Sequence, residues 1–209
     1  MTRMSRTSNT DQRRAQITGG LIHVMAARGY DGASIAEIAR AADLTPGLVH
    51  YHFKNKQEIL LAALREIADR HHQRLTTAID NADGDAARQV AAFLQVHLGL
   101  GDSADPDDLA CWVLITGEAL RQPPVQTELA HDLNHVVELL QTILERGMHD
   151  GSFTRLNPRD VAAAVVATIQ GYFVLASTCP ELVPHGSALR STLMMVSGLL
   201  GTPLPLPPR

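Results

Sequence analysis

Ser34 to Lys56 reads SIAEIARAADLTPGLVHYHFKNK, and this stretch decides the fold. Ile35, Ile38 and Ala39 give a first short helix one apolar face, and Ser34 is placed to cap its N-terminus. Ala42, Asp43 and Leu44 make a tight turn. Thr45 then serves as N-cap of a second helix, with Pro46 at the first helical position, where its missing N–H costs nothing. Between Pro46 and His52 the spacing turns Val49 and Phe53 inward. It leaves Gly47, Leu48, His50, Tyr51 and His52 on or near the outer surface. KNKQEI follows at once, with Asn55 as the next N-cap, Glu58 closing a capping box, and Lys56 at a helix N-terminus that also suits a phosphate. Two short helices across a tight turn, the second polar on its outer side, predict a helix-turn-helix whose second helix enters a DNA major groove.

Charge supports this. The 209-residue chain has a formal net charge of −4, which by itself argues weakly against a nucleic-acid partner. Its distribution reverses the argument: residues 1–56 hold eight Lys/Arg against four Asp/Glu, and the remainder is strongly acidic. A basic head on an acidic body orients the molecule on DNA. Two cysteines, Cys111 and Cys179, and no secretory segment fit a reducing cytoplasm. No stretch reads as a membrane span; Val161 to Thr178 comes closest, and its Thr168, Gln170, Gly171 and Ser177 mark it as a buried helix.

The remaining pattern is helical throughout. Residues 1–10 lack periodicity and read as a flexible tail, with Arg3 and Arg6 solvated. Asp11–Arg28 forms the first helix, ended by Gly29. Lys56 to about Asn81 is a long helix with Ile59, Leu60, Ala63, Leu64, Ile67 and Leu75 inward. Ala86–Leu100 follows, then a loop from Gly101 to Asp105. Helices are predicted from Asp105-Pro106 to about Gln122, from Val125 to Met148, from Asn157-Pro158 to Ser177, and from Ser187 to Leu200. The last two are apolar enough to form a four-helix bundle with a second copy of the chain.

The segment IARAADLTPGLVHYHFKNKQEIL resembles the N-terminal signature of the TetR family of bacterial transcriptional regulators, over roughly Ile17 to Leu64. The likeness rests on Ile38-Ala39, Ala42-x-Leu44-Thr45, Gly47, HYHF ending at Phe53, and Lys56. It departs from the usual pattern at Asp43 (usually Gly), Leu48 (commonly Thr or Ser) and His50 (commonly Tyr). The resemblance implies an all-α chain of about nine helices, with a three-helix helix-turn-helix head at 11–56 and a helical ligand-binding and dimerisation domain at 57–202. Residues 203–209 are a second flexible tail. It also implies a homodimeric regulator, a repressor released from a palindromic double-stranded operator by a small organic effector. An effector-independent dimer or a metal sensor are the other readings.

Thr45, Tyr51, Lys56 and His50 are expected on phosphates, Pro46, Leu48 and His52 nearest the base edges, Gly47 where the backbone approaches closely, and Ser34 and Arg40 beside them. In the body, polar groups on apolar helix faces mark a candidate effector cavity: His97, Cys111, Trp112, Thr116, Glu118, His135, Gln170 and Tyr172. Each also has a bland reading, Trp112 as core filler and Glu118 as a solvated acid. CWVLITGEAL, from Cys111, is similar to the body of a family branch that binds varied small organic compounds. An aromatic content of 4% disfavours a large planar effector. His131 with His135, and His71-His72, invite a metal, but neither cysteine sits in a CxxC or CxH arrangement, so no metal or cofactor is expected. GxSxG, HExxH, GxxxxGK[ST] and GxGxxG are all absent, which argues against an enzyme.

Overall fold

The computed structural model describes residues 9–99 and 106–206. The expected tail at 1–10 falls mostly outside them, as do the loop 101–105 and residues 207–209; the described start of the second expected tail is packed instead, with Leu204 buried and its N–H donating to Ser197 Oγ at 3.0 Å. Among the described residues there are nine α-helices, one 3-10 turn (Pro180–Leu182) and no strand.

α1 (Asn9–Gly32) continues past the expected stop only across a kink, since Gly29 has φ 72° and ψ 173°. α2 (Ile35–Ala41) and α3 (Pro46–His52) begin and end as the caps dictate. The Ser34 hydroxyl accepts the Glu37 N–H and the Glu37 carboxylate accepts the Ser34 N–H, a complete capping box. Asp43 adopts left-handed backbone at φ 54°, the conformation for which glycine is the usual choice and Asp among the tolerated exceptions. α4 (Lys56–Asp80) starts at Asn55, whose side chain accepts the Glu58 N–H at 2.9 Å. The Glu58 carboxylate reaches one residue further back than a standard box, to the Lys54 N–H at 2.8 Å.

α5 (Ala86–Leu98) is capped by Asp85, and α8 (Pro158–Thr178) by Asn157. α6 spans Pro106–Ala119, α7 Pro123–His149 and α9 Ser187–Leu200. The Pro-Pro pair opens α7 rather than merely stopping α6, because proline is preorganised for a first helical turn.

Two compact units result, and they do not follow chain order. The first comprises residues through 67 with 106–129. Its core is Ile17, Leu21, Met25, Ile38, Val49, Ile59, Leu60 and Leu64, all fully buried, and α6 packs along α1. α6 contributes Cys111 and Ile115 to the same buried set. The second unit comprises 68–105 with 130–209. There Leu75, Val90, Phe93, Leu94, Leu140 and Leu144 meet the first half of α8 (Val161, Ala162, Val165, Ile169) and Leu193, Val196 and Leu200 of α9. Among the described residues, α8 alone is long and apolar enough to cross a membrane by length and composition. Its N-terminal half is packed in this core.

Candidate nucleic-acid interface

α3 is a seven-residue helix held by few anchors. Val49 and Phe53 are buried; the Thr45 hydroxyl accepts the Leu48 N–H at 3.3 Å; Pro46 takes the first position. Opposite these anchors the surface is polar and open. Tyr51 is 81% exposed, His50 is exposed, and His52 meets the Tyr51 ring edge-on at 5.1 Å. Pro46 and Gly47 are exposed and Leu48 is half-buried. Nothing lies within 4 Å of where a Cβ on Gly47 would sit, so the backbone there is free to approach another surface.

The flanking residues are more engaged than their sequence positions suggested. Arg40 is exposed, with its guanidinium 3.8 Å from the Glu37 carboxylate, which also pairs with Arg28. Lys56 is half-buried: its ammonium donates to the Tyr30 carbonyl at 2.8 Å and lies 4.0 Å over the Tyr30 ring. That joins the start of α4 to the end of α1 and leaves the other ammonium N–H groups unassigned. Arg14, absent from the expected set, donates to the His52 carbonyl at 2.7 Å and covers Phe53 at 4.0 Å.

The candidate effector residues divide between the two units. Four belong to α6, in the first. Burial pushes the Cys111 thiol up to about 12, with Asp108 and Asp107 adding to it. Trp112 is buried, and the Thr116 hydroxyl is spent on the Val113 carbonyl at 2.6 Å. Glu118 is buried, not a solvated acid; it accepts from Arg121 at 2.6 Å and from Gln122 at 2.7 Å. Gln122 in turn accepts from Gln57 at 2.9 Å, so a polar hub ties the end of α6 to the first turn of α4.

In the second unit, His97 is buried between the His71 and Phe93 rings, each 4.4 Å away. Its Nδ1 lies 2.8 Å from the Phe93 carbonyl, which only accepts, so Nδ1 carries the proton. His135 is exposed and its ring faces His72 at 4.6 Å. His72 Nε2 lies 3.1 Å from Asp132 Oδ1, a close approach without hydrogen-bond geometry, with Asp132 buried and His72 half-buried. Burial pushes the Asp132 carboxyl up against the pull of His72, His135 and His131. Gln170 and Tyr172 are half-buried on α8. No three described His, Cys, Asp or Glu side chains group as metal ligands. Asp132 is not among the sequence candidates, although it adjoins His131 and stands three residues from His135, and His71 enters there only as part of a metal pair.

This histidine cluster carries a pH dependence. Burial pulls His71 down to about 2 and His97 to about 4, with neighbouring His72 and Arg74 acting the same way. Both rings stay neutral in the folded chain, whereas the unfolded chain takes up protons below about pH 6.5. The unfolded state therefore binds more protons, and stability falls as pH drops from 6.5 toward 4. Between pH 7.5 and 5, His97 alone should remove roughly 2 kcal/mol. Urea midpoints at the two pH values check this, and His97→Gln should remove about half of the difference, leaving the share of His71.

A capped reading helix on an α2–turn–α3 unit, presented with an open polar face, defines a helix-turn-helix DNA-binding regulator. Residues 17–63 match the family of bacterial regulatory proteins, tetR family. Residues 86–201, over half the chain, match the BetI-type transcriptional repressor C-terminal domain. The chain belongs to the TetR family of transcriptional regulators and is not an enzyme.

Among its relatives, the HTH-type transcriptional regulator BetI of Rhizobium meliloti is 26% identical over 114 residues, 54% of this chain and 55% of that one. The chain thus spans about half the length of that relative. The BetI regulator of Paraburkholderia phytofirmans is 22% identical over 178 residues, 85% of this chain and 88% of that one. A transcriptional regulator from Saccharomonospora viridis, solved in complex with choline, superposes with a TM-score of 0.77 at 20% identity. That likeness covers 90% of this chain and 94% of the other, and it concerns the fold.

Proposed function

We propose that this regulator is a cytoplasmic homodimeric repressor, released from a palindromic operator when a small organic cation enters its body. Residues 11–56 read DNA and 57–202 bind the effector and dimerise. The observation that carries the dimer is the unpartnered apolar face at the C-terminal end of the chain. Val174 and Leu175 on α8, and Met194, Met195 and Leu199 on α9, are all exposed, Met194 at 71%. Beside them a groove of about 670 Å³ runs between α9 and the segment after it, lined by Leu193, Pro203, Leu204 and Leu206 among others. Monomeric proteins seldom leave so many large apolar side chains of two helices uncovered. A two-fold pairing of α8 and α9 gives the bundle expected of such helices.

Two heads are also what reading requires, because one seven-residue helix spans too few base pairs while two, about one DNA turn apart, read a palindrome. Thr45, Tyr51, Lys56 and His50 serve phosphates, and Pro46, Leu48 and His52 face base edges, with Ser34 and Arg40 beside the backbone. The effector class is supported by the BetI-type body, by the choline held in the Saccharomonospora viridis protein, and by the buried Asp132 carboxylate. Fluorescence anisotropy on DNA from upstream of its own gene, over a salt series with and without choline, tests both parts. Saturable binding that survives competitor DNA and is released by choline supports them. Binding that collapses equally for every sequence as salt rises refutes operator reading. Specific binding indifferent to choline refutes this effector class.

A further inference from the structure

We propose that Arg14, on α1, is a positioning residue for DNA reading: it clamps the C-terminal end of α3 and so fixes the aim of Tyr51 and His50. The need for such a clamp follows from α3 itself. A helix of seven residues cannot hold its own conformation by propensity, and its last carbonyls have no partner inside the helix. No glycine closes this one. The chain leaves α3 through Phe53 in extended conformation (φ −139°, ψ 132°), and the Phe53 N–H returns to the Val49 carbonyl. The His52 carbonyl would otherwise rely on solvent.

Arg14 supplies what is missing, in two ways at once. Its Nη1 donates to the His52 oxygen at 2.7 Å, a cation on the negative end of a helix. Its guanidinium carbon lies over the Phe53 ring, 4.0 Å from the centroid, a cation–π contact. Phe53 is 2% exposed, so the ring is a fixed platform, and Arg14 sits on α1, whose neighbouring Ile17 and Thr18 are buried. The clamp therefore connects the rigid side of the head to the end of α3 that bears His50, Tyr51 and His52. Removing it frees the last turn of α3 to shift relative to α1 and uncovers one face of the Phe53 ring, while the rest of the head's core stays covered.

The inference rests on α3 as the reading helix, so the experiment includes that control. A duplex selected by the wild-type protein from a random library, and a scrambled duplex of the same composition, serve as probes in anisotropy titrations over a salt series. Arg14→Ala should lose about ten-fold on the selected duplex, keep its affinity for the scrambled one, and keep the wild-type salt slope. Its thermal unfolding should stay cooperative and fall only slightly, as expected for the loss of one surface contact on Phe53. Arg14→Lys, which keeps a cation but no planar face, should fall between the two. Equal loss on both duplexes with a slope lower by about two, one for each head, would identify Arg14 as a direct phosphate contact and overturn the proposal. Unchanged affinity of Arg14→Ala, or a lysine variant as tight as wild type, would overturn it too. A wild-type protein that selects no sequence would overturn the reading of α3 and this inference with it.

Discussion

Replacing Gly20 with valine is expected to unfold the DNA-binding head. Even the Cβ of alanine at this position would stand 2.8 Å from the Ile38 carbonyl oxygen and 3.2 Å from the Ala42 N and Cβ. Two of those three atoms are backbone of α2 and of the turn that aims α3, so the obstruction cannot rotate away. Valine adds two methyl groups at the tightest point between α1 and α2. Overpacking of a close-packed contact costs about 1–3 kcal/mol, and more where backbone must move. For a head whose α2 and α3 are seven residues each, a loss of roughly 3 kcal/mol or more is decisive.

Gly19 supplies the control. A Cβ there meets nothing within 4 Å. Gly19→Ala should be neutral or stabilising by up to about 1 kcal/mol, because alanine is the better helix former. Urea unfolding followed by circular dichroism, with DNA binding measured in parallel, separates the two. A Gly20→Val protein as stable as Gly19→Ala would show that α1 and α2 do not pack as described.

The helix-turn-helix was legible because everything that defines it is local. Ser34, Thr45 and Asn55 each satisfy an N–H three residues away, and α3 ends where the caps require. α9 was legible from its own apolar run after Pro184, and the structure adds the left-handed Gly186 and Gly201 at its two ends. What sequence periodicity could not reveal is non-local. That α6 packs along α1, in the same unit as the head, depends on contacts across some eighty residues.

The same limit explains the candidate site. Thr116 and Glu118 looked available as ligand groups, but one bonds its own helix and the other holds Arg121 and Gln122. Lys56 and Arg14 are both cations whose partners lie 26 and 38 residues away, a separation no local pattern encodes. Conversely, the apolar surroundings expected of α8 hold only for its first half. Its second half is exposed at Val174 and Leu175, where the proposed partner would lie.

Tyr51→Ala should produce the largest loss of operator affinity of any single surface substitution in α3. Among the reading-helix residues Tyr51 combines the longest reach with a free hydroxyl, and it is 81% exposed, so no folded-state contact of weight is lost with it. A hydrogen bond to a charged group contributes about 1.5–3 kcal/mol, or roughly ten-fold to more than a hundred-fold per head. With two heads on one operator, as proposed, the effect counts twice. Tyr51→Phe keeps the ring against His52 and removes only the hydroxyl. If the phenol serves a phosphate, the phenylalanine variant should lose most of what alanine loses, and unfolding temperature and oligomeric state should stay at wild-type values in both. If the ring instead packs on a sugar or a thymine methyl, phenylalanine should bind almost as well as wild type. Dissociation of the alanine variant into monomers would assign Tyr51 to the fold and remove it from the interface altogether.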